Sequence, residues 1–229
     1  MEKNSEIIAG IPFFSDLTEA QLTAVLRIMT ERTYNRGELI FSDGDPGDGF
    51  YAVARGKVKI FKMSSEGKEQ ILHIFGPGEP FGEVPVFSGR SFPANAQAIA
   101  KSRLLFFPRK DFIRLITETP ALALNMLAVL SMRLRQFTVQ IENLSLKEVP
   151  ERLAAYLIYL AGEQETDTVT LPISKGQLAS LLGTIPETLS RIFAKMSGDG
   201  LIAVTGKTIC LLNRDHLACI AEYGKACEL

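Results

Sequence analysis

Four glycines placed eleven residues apart, Gly56, Gly67, Gly78 and Gly89, cut the stretch from about Thr33 to Pro108 into short pieces, with Gly37, Gly44, Gly47 and Gly49 ahead of them. The pieces read ELIF, FYAVAR, KVKIFKM, EQILHIF, ANAQAIA and RLLFF. They are rich in the β-branched and aromatic residues that suit a pleated surface. Short strands separated by turn signals at intervals of about eight to twelve residues predict an antiparallel sandwich or roll, and a jelly roll is the expected form.

On either side of this region the pattern becomes helical. IPFFSDLTEAQLTAVLRIM has a helical rhythm with a Thr18/Gln21 capping box at its start. Pro120 opens a helix that should run to about Lys147 and stop before Pro150. Inside it Leu127, Leu130, Leu134, Phe137, Ile141 and Leu144 follow the spacing 3, 4, 3, 4, 3, which is a coiled-coil seam. Roughly two and a half heptads are few for an independent coiled coil. The seam is therefore expected to serve a homodimer, with part of it also packing on the roll.

From Ser174 to Ile202 the chain reads SKGQLASLLGTIPETLSRIFAKMSGDGLI, two short amphipathic helices hinged at Gly183. Ser174/Gln177 and Thr184/Glu187 have the form of capping boxes at the two helix starts. Helical geometry places Ile185, Leu189, Ile192 and Met196 on one buried stripe and turns Glu187, Ser190, Arg191 and Ala194 outward. An exposed guanidinium, carboxylate and hydroxyl match the base edges of the major groove. Arg reaches guanine O6 and N7, Glu accepts from cytosine N4, and Ser serves either kind of partner. The following IAVTGKTICLL reads as a hairpin with Gly206 in its turn, so the segment is expected to be a winged helix-turn-helix. Ser174, Lys175, Gln177, Thr188, Lys195 and Lys207 are the expected phosphate contacts. Between Ser174 and Arg214 the basic residues Lys175, Arg191, Lys195, Lys207 and Arg214 outnumber the acidic Glu187 and Asp199. That surplus is small, so useful affinity for duplex DNA calls for a second copy of the reader.

The expected fold class is α+β in three parts: a β-roll with an N-terminal helix over 1–119, a dimerisation helix over 120–147, and a winged helix-turn-helix over 148–229. No run reaches the 18 or so apolar residues of a membrane span, and MEKNSE at the start is no secretory signal, so a cytoplasmic protein is expected. Cys210, Cys219 and Cys227, at spacings of nine and eight, form neither a zinc pattern nor a disulfide framework. They are read as buried or surface thiols in a reducing compartment. His73 and His216 are the only histidines, too few for the clustered metal site of a roll-based enzyme, so no enzymatic activity is expected.

Roll, long helix and winged helix-turn-helix, in that order over essentially the whole chain, resemble the Crp/Fnr family of bacterial transcription regulators. The resemblance rests on GDPGDGFYAVARGKVKIF at 44–61, FGE at 81–83 and PETLSRIF at 186–193. It implies an effector-responsive, homodimeric DNA-binding regulator that works with RNA polymerase, activation being the commoner outcome in the family. Ligand in the roll would shift how the long helices pack and re-aim the DNA-reading domains about a hinge near Lys147 to Pro150. Pro186 stands where the cyclic AMP receptor branch has an Arg before the Glu, whereas Glu187, Ser190 and Arg191 resemble the triad of the Fnr-like branch, whose half-sites begin TTGA. A TTGA-type palindrome is therefore expected.

The resemblance also assigns an effector pocket to His73, Gly82, Glu83, Arg90, Leu130, Leu134, Phe137 and Thr138. Cyclic-nucleotide members neutralise the phosphate with an Arg-Ser/Thr pair that becomes Phe92-Pro93 here, while Arg90-Ser91 sits two residues early. Phe137-Thr138 replaces their polar purine contacts. Both departures argue against cyclic AMP, although a cyclic-nucleotide-responsive regulator, or a cyclic-nucleotide module that binds no DNA, stays as the alternative. With no cysteine before 210, the iron–sulfur cluster of Fnr is excluded. FGPGEPFGEVPVFSG, FPANAQA and the apolar seam are similar to the nitrosative-stress branch, the regulators of hybrid cluster protein genes. That likeness suggests nitric oxide sensing through haem, with His73 as the axial iron ligand. The simpler reading of His73 is a buried histidine satisfied by a neighbouring carbonyl.

Overall fold

The computed structural model describes residues 2–227. The chain divides after Arg135 into two compact units.

The first unit opens with α1 (Glu2–Ala9), a 3-10 turn at Pro12–Phe14 and α2 (Glu19–Ile28). At the start of α2 the Thr18 hydroxyl accepts from the Gln21 amide and the Gln21 side chain accepts from the Thr18 amide, the reciprocal box that the sequence predicts. The strands follow: β1 (Thr30–Tyr34), β2 (Leu39–Phe41), β3 (Gly49–Arg55), β4 (Val58–Met63), β5 (Glu69–Phe75) and β6 (Pro80–Phe81). After the one-and-a-half-turn helix α3 (Val84–Ser88) come β7 (Asn95–Ala98) and β8 (Ser102–Pro108). They form two four-stranded antiparallel sheets, ordered β1-β8-β3-β6 and β2-β7-β4-β5. The antiparallel sandwich expected from the glycine spacing is present. Gly56, Gly67, Gly78 and Gly89 fall just beyond β3, β4, β5 and α3.

Central strands β3 and β8 read as continuous apolar runs because both of their faces are buried. Tyr51, Val53, Leu104 and Phe106 point into the sandwich with Phe41, Phe75, Phe81 and Phe92. Phe50, Ala52, Leu105 and Phe107 point the other way, into a second cluster made with Ile8, Phe13, Phe14, Val25, Phe112 and Leu115. The period of two along each strand separates the clusters. Each fully buried Val, Leu, Ile or Phe side chain among them contributes about 1.5–3 kcal/mol.

Two helices complete this cluster. α4 (Arg109–Glu118) buries Phe112 and Leu115 against β8 and β3, and α5 (Pro120–Leu146) turns off it by 112° at Thr119. α5 buries Leu122, Met126 and Val129, a stripe with the spacing 4, 3. The stripe that meets the roll is thus distinct from the predicted seam. Leu127 is 60% exposed, Phe137 42% and Ile141 65%; Leu134 is exposed as well, and Leu130 and Leu144 are half-buried. Among the described residues no single helix is long and apolar enough to cross a membrane.

The second unit contains α6 (Val149–Gln164), β9 (Thr168–Thr170), α7 (Lys175–Leu181), α8 (Pro186–Gly198), β10 (Ile202–Thr205), β11 (Thr208–Leu211) and α9 (Arg214–Tyr223). α6 ends at Gln164, where Glu165 takes a left-handed cap at φ 52°. The hairpin β10–β11 turns at Gly206-Lys207 and recruits β9 into a three-stranded antiparallel sheet, ordered β10-β11-β9. Leu153, Leu157, Val169, Leu178, Leu189, Phe193, Ile209 and Leu217 are buried in this unit.

The expectation of three unpaired thiols is corrected here. After α9 the chain reverses at Gly224 into a short 3-10 turn, and Cys227 returns to Cys219, with which it forms a disulfide across a Cα separation of 5.8 Å. Cys210 is free.

Candidate functional site

The helix-turn-helix is built by local rules. Ser174 and Gln177 close a reciprocal box at the start of α7. Gly183, at φ +68°, makes the left-handed step into the turn, which side chains other than glycine resist. The second predicted box does not form. Pro186 drives the residue before it into extended backbone, so Ile185 becomes the cap of α8, at φ −105° and ψ 154°, with no side-chain cap bond. Pro186 takes the first helical position, where its missing N–H costs nothing.

This one-step shift also revises the predicted stripe. Ile185 lies outside the helix and is 49% exposed, and the buried positions of α8 are Leu189, Phe193 and Met196, with Ile192 at the edge.

The opposite face is as expected: Glu187, Ser190, Arg191, Ala194 and Lys195 are exposed. Ser190 donates its hydroxyl proton to the Pro186 carbonyl at 2.8 Å, so toward a base it presents lone pairs only, a partner for adenine N6 or cytosine N4. Arg191 donates from Nη2 to Thr188 Oγ1 at 3.1 Å. The face therefore offers two acceptors and one forked donor.

The expected phosphate contacts are placed as follows. Ser174 and Gln177 are half-buried and engaged with each other in their capping box. Lys175 lies over the Phe193 ring, Nζ 5.1 Å from its centroid, which fixes its stem beside α8. Lys207 is exposed in the wing turn, where its carbonyl accepts from the Leu171 amide. Lys195 is exposed and lines a groove of about 500 Å³ together with Glu148, Glu151, Ile192 and His216. Thr188 is half-buried, its hydroxyl serving Arg191.

Inside the roll the expected effector residues are only partly brought together. Gly82, at φ +74°, sits under stacked Phe41 and Phe92, whose centroids are 3.7 Å apart; a Cβ there would come within 3.2 Å of Phe41 and 3.3 Å of Phe92. Beside it Glu83 is 7% exposed and forms an ion pair with Arg133 of α5, Nη1 to Oε1 at 2.7 Å. Arg133 also donates to the Pro80 carbonyl and lies over Phe75. The sequence reading missed Arg133, although it continues the buried stripe Leu122, Met126, Val129 by one more step of four.

Arg90 is exposed at the roll surface, and its amide donates to the Ser88 hydroxyl. His73 is half-exposed, which corrects its reading as a buried histidine. Its Nε2 lies 3.8 Å from Glu79 Oε1 and its ring packs on Phe75. Burial would push the Glu79 carboxyl up, but the His73 imidazole beside it, the Gly76 amide that donates to it and the nearby Arg133 outweigh this and hold the group below the usual carboxylate range. Leu130 and Leu134 lie on α5 within the first unit, and Phe137 and Thr138 lie beyond the division after Arg135.

Residues 31–119 match the cyclic nucleotide-binding domain family, and residues 151–220 match the Crp-like helix-turn-helix domain family. The cyclic AMP receptor protein of Thermus thermophilus is 33% identical over 200 residues, covering 87% of this chain and 92% of the relative. The chain belongs to the Crp/Fnr family of transcription regulators. A Crp-like cAMP-activated global transcriptional regulator of Mycobacterium tuberculosis is 30% identical over 218 residues, 93% of this chain and 97% of its own length. Among solved structures, FixK2 from Bradyrhizobium japonicum superposes with a TM-score of 0.73 at 27% identity, covering 83% of this chain and 96% of that one. Sandwich, long helix and helix-turn-helix are thus the Crp/Fnr architecture, and α7 and α8 lie within the part of the chain that matches the Crp-like helix-turn-helix domain.

Proposed function

We propose that this Crp/Fnr regulator binds, as a homodimer, a palindromic operator with TTGA-type half-sites, reading bases with Glu187, Ser190 and Arg191 of α8. The observation that carries this reading is the chemistry of the exposed face: one planar five-donor fork, one carboxylate and one hydroxyl restricted to accepting. A half-site guanine suits the fork, and adenine N6 suits an acceptor. The exposed seam of α5 supplies the pairing surface, which would set two readers about 34 Å apart on one face of the duplex. RNA polymerase is the expected further partner, with activation or repression set by where the operator lies.

The effector reading departs from the relatives named for cyclic AMP. Phe92, stacked on Phe41, and Pro93 occupy the positions of the phosphate-neutralising pair, and Arg133 already spends its charge on Glu83. A buried phosphate would be left without a counter-charge, at a cost of several kcal/mol. An effector without a phosphate fits this interior better. Haem on His73, the route to nitric oxide sensing, does not suit the side chains as they stand. The ring nitrogen that would meet an iron faces Glu79, and the sheet interior beside it is filled by Phe75, Phe81 and Tyr51. A hemin titration decides the matter: a Soret shift that His73→Ala abolishes would establish the ligand.

The DNA reading is tested by selecting duplexes from a random pool. An inverted repeat with TTGA-type halves is expected, and Arg191→Ala should relax discrimination at its guanine by about 1–3 kcal/mol in a binding titration. Recovery of no inverted repeat would overturn the reading.

A further inference from the structure

We infer that Thr188 is a positioning residue for DNA reading: its hydroxyl holds the Arg191 guanidinium away from Glu187, so that both charged groups stay available to bases. The role rests on the assignment of Arg191 to base readout above. On an exposed helix, Glu followed four residues later by Arg is the arrangement that most favours an ion pair. Glu187 and Arg191 have that spacing on the exposed face of α8. Among the described residues the ion pairs nevertheless include none between them. Arg191 instead donates from Nη2 to Thr188 Oγ1 at 3.1 Å.

Thr188 suits this task. It is half-buried at the margin of the reading face, and its branched side chain has few rotamers in a helix, so the hydroxyl is a stiff anchor. One guanidinium N–H is occupied, which leaves four donors of the fork for a base. A collapsed Glu187–Arg191 pair would instead cancel the acceptor against the donor, and a guanine or cytosine edge would have to break it before being read. A Thr–Arg bond between neutral and charged partners is easily shared with an incoming base and does not neutralise the charge. Thr188 thereby acts through Arg191, in contrast to the phosphate contact expected of it from sequence. The two roles predict different losses, because a phosphate contact weakens all sequences alike and a positioning contact erodes only discrimination.

The test uses the full chain and a duplex carrying the inverted repeat that the wild-type protein selects, beside a duplex in which the guanine lost in Arg191→Ala discrimination is replaced in both halves. Thr188→Val should lower the affinity ratio between the two duplexes about five- to tenfold, Thr188→Ser should restore it, and Thr188→Val should add nothing in an Arg191→Ala background. Equal weakening on both duplexes, or a wild-type ratio for Thr188→Val in protein that melts normally, overturns the positioning role. If Arg191→Ala itself keeps the guanine preference, the base-reading assignment fails, and the role of Thr188 fails with it.

Discussion

Arg133 Nη1 donates to Glu83 Oε1 across 2.7 Å, with 16% and 9% of the two side chains exposed. This pair joins α5 to the turn after β6. Removing one partner leaves the other charge buried without compensation, whereas removing both does not. Arg133→Met should therefore lower stability by about 2–4 kcal/mol, and adding Glu83→Gln should recover most of that loss. Urea unfolding of the single and double variants measures both. A double variant as unstable as Arg133→Met would show that the arginine acts by packing on Phe75 and not by charge.

Glu79 supplies a pH dependence of definite sign. Its carboxyl is held below the ordinary 4.5 in the folded protein, so the charged form is favoured by folding. The resulting stability is present above the unfolded-state value and is lost as pH falls through the folded one. Urea midpoints followed from about pH 6 to about pH 3 should decline, and Glu79→Gln should flatten part of that decline. His73→Gln should also flatten it, since His73 is the leading partner holding the carboxyl down.

Legibility in the sequence followed the range of the forces involved. The roll could be read because β3 and β8 alternate between two apolar clusters while turn glycines delimit the strands. β1, TERTY, escaped because it is an edge strand with a mostly polar surface, and β6 because it is two residues long and begins with Pro80. The reading face of α8 was legible from its spacing. Its buried stripe was misplaced by one cap because the constraint Pro186 imposes on Ile185 outweighs the Thr184/Glu187 pattern. The Cys219–Cys227 pair depends on a chain reversal that no local period announces, and Arg133, although it extends the buried stripe of α5, meets Glu83 only through tertiary approach.

The disulfide closes a sequence separation of eight residues at the end of the second unit. Cross-linking a loop of that size restricts the unfolded chain and is worth about 2–3 kcal/mol. Cys219→Ser should lower the thermal midpoint of the second unit by an amount that adding reductant to the wild-type protein reproduces. Reductant should leave the variant unchanged, because Cys210 has no partner. Wild-type protein that ignores reductant, with three alkylatable thiols, would contradict the pairing.

Pairing of two chains through α5 makes the most consequential demand. Ile141 and Leu127 are 65% and 60% exposed, so a glutamate at either site costs a single chain little. In a two-fold interface each substitution acts twice and sets two carboxylates against an apolar surface or against each other. Leu127→Glu and Ile141→Glu should therefore sediment as monomers at concentrations where the wild type is a dimer, and their operator affinity should fall by at least about tenfold, since one reader neutralises too few phosphates to hold alone. Val139 is the control: it is 50% exposed but follows Phe137 by two residues, about 200° around the helix, away from the seam. Val139→Glu should stay dimeric and bind normally. A wild-type protein that sediments as a monomer at all concentrations, or a Val139→Glu variant that dissociates while Ile141→Glu does not, would place the interface elsewhere and remove the geometric basis for a palindromic operator.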